Sequence, residues 1–91
     1  MYQAITTKFL GPTNTRGSRV RATAQAGSVT VHWDHALNCD ANHDRAAEAL
    51  AKKFGWYGAW FGGGLERGSC YVWVPSADAD SKGVAFYVRG E

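Results

Sequence analysis

Between Asp40 and Gly55 the chain carries its one clear stretch of helical periodicity, and that stretch has a single apolar side. Ala46, Ala47, Leu50, Ala51 and Phe54 recur at i, i+1, i+4, i+5 and i+8, while Asp44, Arg45, Glu48, Lys52 and Lys53 occupy the remaining surface. Asp40 or Asn42 is placed to cap the start, and Gly55 can take the left-handed conformation that ends a helix. Glu48 and Lys52 have the i to i+4 spacing of a stabilising ion pair. A lone helix of about four turns with one apolar stripe has to bury that stripe against another layer. Everything around it reads as strand, so the second layer must be a sheet.

Tyr2 to Leu10 is rich in β-branched and aromatic residues and stops at Gly11-Pro12. The loop Gly11 to Ser18 follows, dense in turn-forming residues. Arg19 to Ala24 alternates, with Val20, Ala22 and Ala24 on one side and Arg19, Arg21 and Thr23 on the other; Ser28 to Asp34 puts Val29, Val31 and Trp33 inward. Period two marks half-buried strands, and the short Gln25-Ala26-Gly27 link predicts that they pair antiparallel. After the helix, Trp56 to Phe61 is strand-like until Gly62-Gly63-Gly64, read as a break and a hairpin loop. Ser69 to Val74, ended by Pro75, and Val84 to Arg89 complete the order βββαβββ. The predicted fold is α+β, a mainly antiparallel sheet with one helix packed on one face.

At 91 residues and 45% hydrophobic composition the chain fits a single domain, residues 1–91, with enough apolar side chain to fold without staples. No apolar run approaches the roughly 20 residues of a membrane-spanning helix, and the first residues lack the basic and apolar regions of a signal peptide, so a cytoplasmic protein with no membrane partner is expected. Cys39 and Cys70 lie 31 residues apart without CxxC spacing. In a reducing compartment they are read as structural thiols.

Charge is unevenly placed. Residues 1–33 contain Lys8, Arg16, Arg19 and Arg21 and no Asp or Glu, whereas residues 34–54 and 55–91 each hold four acids and three bases. Clustered cations attract polyanions or acidic protein surfaces. Four aromatics, Trp56, Tyr57, Trp60 and Phe61, fall within six residues, more than one inward strand face uses. Alternation sends Trp56 and Trp60 to one side and Tyr57 and Phe61 to the other. An exposed pair beside Arg19 and Arg21 would stack bases while the cations hold phosphates, and the same residue types make protein-interface hot spots. The binding residues expected are therefore Arg16, Arg19, Arg21, Trp56 and Trp60.

Catalytic signals are sparse. The chain has no P-loop, HExxH, paired glycosidase carboxylates or dinucleotide fingerprint, and no cofactor is expected. His32, His35, Cys39 and His43 fall within twelve residues and are ligand types suited to zinc. Their spacing is not that of separated zinc knuckles, and His43 precedes Ala47 and Leu50 on the apolar stripe, so it is expected to pack at the helix start.

The run Tyr2 to Lys8, the segment Gly11 to Val20, Trp33-Asp34-His35-Ala36-Leu37 and Gly62-Gly63-Gly64 together resemble a set of short proteins carried on plasmids, phages and integrated elements of proteobacteria. The likeness spans most of the chain and implies a context: small mobile-element proteins that interfere with host defence, including anti-CRISPR and anti-restriction proteins. The function expected is a non-enzymatic binding protein and inhibitor of this kind, occupying a surface of a host-defence or other nucleoprotein complex. One alternative is direct nucleic-acid binding; another is a small metal-binding protein or hydrolase built on His32, His35, Cys39 and His43.

Overall fold

A computed structural model describes residues 3–66, 68–78 and 80–89. Six strands, β1 (Ala4–Leu10), β2 (Arg19–Ala24), β3 (Gly27–His32), β4 (Gly58–Leu65), β5 (Gly68–Val74) and β6 (Val84–Val88), flank one helix, α1 (Cys39–Lys53), in the order βββαβββ. They form one sheet in spatial order β3-β2-β1-β5-β4-β6, in which every neighbouring pair is antiparallel. The α+β architecture is as the periodicities predict. Pairing of β1 with β5 joins an N-terminal meander to a C-terminal three-stranded unit, and α1 links the edge strand β3 to β4. No helix among the described residues is long and apolar enough to cross a membrane.

The helix buries the predicted stripe. Ala46, Ala47, Leu50 and Ala51 lose all solvent contact against Ile5, Val20, Ala22 and Trp60, and Phe54 packs at the margin. Its start differs from expectation: the cap is Asn38, whose Oδ1 accepts from the Ala41 amide at 2.8 Å, and neither Asp40 nor Asn42 serves. Asn42 is instead buried and closes the β3–α1 connection. It accepts from the Asp34 amide at 2.8 Å and donates to the carbonyls of Asp34, Leu37 and Asn38. A side chain that satisfies four backbone groups inside the fold is not free to cap.

At the other end Gly55 is left-handed with φ +68, as its position predicts. The Gly55 amide donates to Lys52 and the Trp56 amide to Ala51, a Schellman closure that turns Trp56 back toward the sheet.

Two strand assignments need correction. Gly62-Gly63-Gly64 is not a break, because β4 runs through it in register with Tyr71, Cys70 and Ser69 of β5. Gly62 is closely covered where it stands: a Cβ there would come within 3.1 Å of the Tyr71 ring, which would have to give by a few tenths of an ångström. An aromatic ring covering a cross-strand glycine supplies the packing that the glycine lacks. β4 also starts later than the aromatic run suggests, at Gly58, since Trp56 belongs to the helix closure. Tyr2, expected in the first strand, lies outside the described residues.

Trp56, Trp60, Trp73 and Phe86 form a continuous stack with ring centroids 5.9–6.1 Å apart, and Phe54 and Tyr71 extend it at 5.1 and 5.5 Å. Trp60 is 0% exposed, whereas Tyr57 is 49% exposed. Trp60→Ala is therefore expected to cost about 3–5 kcal/mol in denaturant unfolding, and Tyr57→Ala less than about 1 kcal/mol. Equal losses for the two would mean that the tryptophan stack does not hold the sheet to the helix.

Candidate binding surfaces

Cross-strand register decides which side chains share a face. Lys8 stands opposite Arg21, which stands opposite Thr30; Leu10 stands opposite Arg19, which stands opposite His32. These residues alternate with Val20, Ala22 and Val31, which point toward α1, so they lie on the face that the helix leaves uncovered. The loop after β1 brings Arg16 to the same end. A shallow groove of about 380 Å³ there is lined by Thr15, Arg16, Gly17, Arg19, Thr30, Val31 and His32.

Local bonds shape this loop and leave guanidinium nitrogens available. Thr13 and Arg16 exchange bonds, the Thr13 amide to the Arg16 carbonyl at 2.7 Å and the Arg16 amide to Thr13 Oγ1 at 3.1 Å. Arg19 Nε donates to the Gly17 carbonyl at 3.3 Å, and Arg21 donates to Ser28 Oγ at 3.3 Å. Among the described residues the ion pair that forms is the predicted Glu48–Lys52, at 3.6 Å, far along the helix surface. Arg45 donates to the His32 carbonyl from the helix side.

The arginines and tryptophans are not brought together. Trp60 is buried on the helix-facing side, Trp56 is half-buried in the same stack, and β4 is separated from β2 by β1 and β5. Neither ring can lie beside Arg19 and Arg21 as a base platform. Of the two aromatic pairs it is the tryptophan pair that fills the core, because the Schellman turn and the strand phase of β4 both direct it toward α1.

The histidine and cysteine set is likewise split. His32 lies on the open face beside Arg19, whereas His35, Cys39 and His43 line a groove of about 770 Å³ on the opposite side. Among the described residues no three His, Cys, Asp or Glu side chains gather in a way that could hold a metal ion. Cys39, the first helical residue, and Cys70, on β5, are both free thiols.

His43 packs at the helix start as its place on the stripe predicts. It is 4% exposed, its Nδ1 lies 2.6 Å from Thr7 Oγ1, and Trp33 meets it edge to face. Phe9 in turn meets Trp33 edge to face with centroids 5.1 Å apart. Sequence reasoning missed Thr7 as the partner of this histidine, since only the sheet places it under the helix.

A third concavity, about 330 Å³, lies between the start of α1 and the glycine stretch and is lined by Asp40, Asp44, Gly62, Gly64, Ser69 and Tyr71. The Tyr71 hydroxyl donates to Asp44. Burial, together with that carboxylate, pushes the Tyr71 phenol upward, so it stays protonated.

Burial pulls the His43 imidazole below its ordinary value of 6.5, with Asp40 and Asp44 opposing only in part. The unfolded chain therefore takes up a proton here more readily than the native state. Stability is full above the ordinary value and falls as pH drops through about 6.5 toward the depressed native value. Denaturant unfolding at pH 7.5, 6.5 and 5.5 is expected to show this decline, and His43→Gln to flatten it. An identical pH profile in the variant would place the titrating group elsewhere.

Comparison with protein-family models, with curated proteins and with solved structures finds no match.

Proposed function

We propose that this protein is a non-enzymatic binder, of the kind carried by mobile genetic elements, that inhibits host defence in the manner of anti-CRISPR proteins. It does so by occupying an anionic surface of a nucleic-acid-handling complex. The observation that carries this reading is the convergence of Arg16, Arg19 and His32 on one groove, continued across the strands by Arg21 and Lys8, on a sheet face without a covering layer. Residues scattered over the first strands of the sequence become one cationic surface only because antiparallel register sets them side by side.

The groove has the chemistry of an anion site. Guanidinium groups bind carboxylate or phosphate through paired N–H donors, and Thr15 and Thr30 add hydroxyls at the same place. An acidic protein surface and a phosphate backbone both satisfy it. Among the described residues neither Trp56 nor Trp60 stands beside these cations as an exposed platform, which favours a protein partner over single-stranded nucleic acid, whose binding commonly relies on base stacking.

Salt dependence separates the two. If the partner is nucleic acid, three phosphate contacts should give a log-log slope of affinity against salt of roughly −2 to −3. The expected result is no measurable binding to duplex or single-stranded nucleic acid at low ionic strength. A steep, saturable salt-dependent affinity would replace the protein partner with nucleic acid.

The variant carrying Arg16→Glu, Arg19→Glu and Arg21→Glu should stay folded, with a stability change of no more than about 1 kcal/mol per site, because each side chain lies outside the core. It should lose protection in a phage or plasmid challenge of cells that carry a CRISPR or restriction system, since charge reversal turns attraction into repulsion. A thermal melt run beside the challenge verifies the fold. Full activity in the folded variant would remove the cationic face from the function.

A further inference from the structure

We propose that the cationic groove at the joined ends of β2 and β3 is a site for a phosphate monoester carried by the partner protein, a phosphorylated side chain being the simplest case, and that it prefers this dianionic group to a carboxylate. The inference rests on the reading that the cationic face meets an anionic partner, and it names the group that seats there.

Donor supply is the first observation. Among the described residues the polar side chains that line the groove are Thr15, Arg16, Arg19, Thr30 and His32, and none of them is an acid. Arg16 is exposed, and its guanidinium has neither a hydrogen bond nor an ion pair among the described residues. Arg19 spends Nε on the Gly17 carbonyl at 3.3 Å, which leaves its two terminal nitrogens. Each guanidinium can thus offer a pair of N–H donors, with the Thr15 and Thr30 hydroxyls and the His32 ring beside them.

Charge balance is the second. Arginine keeps its charge at any pH the fold will meet, so two fixed positive charges stand in the groove. A carboxylate brings one charge and two oxygens, enough for one guanidinium, and leaves the other uncompensated. A phosphate monoester brings a charge of about −1.5 to −2 at pH 7 and three terminal oxygens, which match both guanidiniums and a hydroxyl.

The third is that the loop is set before a ligand arrives. The Thr13 amide donates to the Arg16 carbonyl at 2.7 Å, the Arg16 amide to Thr13 Oγ1 at 3.1 Å, and the Trp33 amide to the Ser18 carbonyl at 2.9 Å, so the segment is tied both to itself and to the end of β3. Donors fixed in advance lose less freedom on binding. A phosphate at the end of a nucleic acid has the same chemistry. The protein source is favoured because neither Trp56 nor Trp60 stands beside the groove to stack a base.

Titration of the 15N-labelled protein at pH 7.5, followed by 1H–15N NMR, tests this with three probes: a capped glycine-phosphoserine-glycine peptide, the same peptide with glutamate in place of phosphoserine, and thymidine 5′-monophosphate, which stands in for the terminal phosphate of a nucleic acid. Saturable shifts are expected at Arg16, Gly17, Arg19 and His32, with the phosphoserine peptide binding at least about tenfold more tightly than the glutamate peptide and no more weakly than the nucleotide. Arg16→Gln, at an exposed loop position, should keep the spectrum of the folded protein and reduce the preference to below about threefold. No saturable shift at millimolar probe, shifts centred outside the groove, equal affinity for the two peptides, or tighter binding of the nucleotide would overturn the proposal. The comparison of probes needs only the unaltered protein, so it decides the matter even if the variant does not fold. No preference for phosphoserine, together with lost protection in the Arg16→Glu, Arg19→Glu, Arg21→Glu variant, would overturn this assignment and leave the anionic-partner reading standing; a clear preference together with full protection in that variant would do the reverse.

Discussion

The close seating of α1 on β1 and β2 is the contact on which the other features of the molecule depend. Ala46, Ala47 and Ala51 on the helix and Ala22 on the sheet are fully buried and end at Cβ. Small side chains let the helix backbone lie near the sheet, while Leu50, Ile5 and Val20 supply most of the apolar area there. With one helix available, only one face of a six-stranded sheet can be covered. The other face is left to solvent or to a partner, and the register of β1, β2 and β3 fills it with Lys8, Arg19, Arg21 and hydroxyl side chains.

The two ends of the helix are finished differently, and the difference creates the second surface. At the C-terminal end the Schellman turn delivers Trp56 into a stack with Trp60, Trp73 and Phe86. At the N-terminal end the residues facing the sheet are Asn42 and His43, which spend their polar atoms on the β3–α1 connection and on Thr7. Polar residues so engaged cannot spread over Phe9, and the sheet extends past them. Two concave surfaces of unlike chemistry therefore lie on opposite sides of one sheet: a cationic groove on the open face, and an aromatic groove beside the helix start.

Legibility in sequence followed the range of the physics involved. The helix, its stripe, its Gly55 end and the Glu48–Lys52 pair were all readable because each rests on neighbours within a few residues. The triglycine was misread because the reason for Gly62 is the ring of Tyr71, nine positions on and across a strand pair. Asn42 looked like a cap because Asn, Asp and Ser are read as caps wherever a helix begins; its true partners become visible only when the chain between Asp34 and Asn38 has folded over it. Arg16, Arg19 and Arg21 do end near one another, but their neighbour His32 was grouped with the wrong residues, and Trp60 was assigned to a surface it never reaches.

By itself the sequence determined the class of the molecule: one helix with one apolar side among strands of period two, a two-layer α+β domain whose excess of positive charge falls in its N-terminal third. Local periodicity and turn chemistry suffice for that, since they depend on residues adjacent in the chain. Tertiary structure alone decided strand order, which face each alternating set occupies, and where covering stops. Those are set by non-local pairing, β1 against β5 and β4 against both β5 and β6, and a shift of one residue in any such pair would exchange the two faces. Both grooves are products of that register, which is why their residues could be named beforehand only in part.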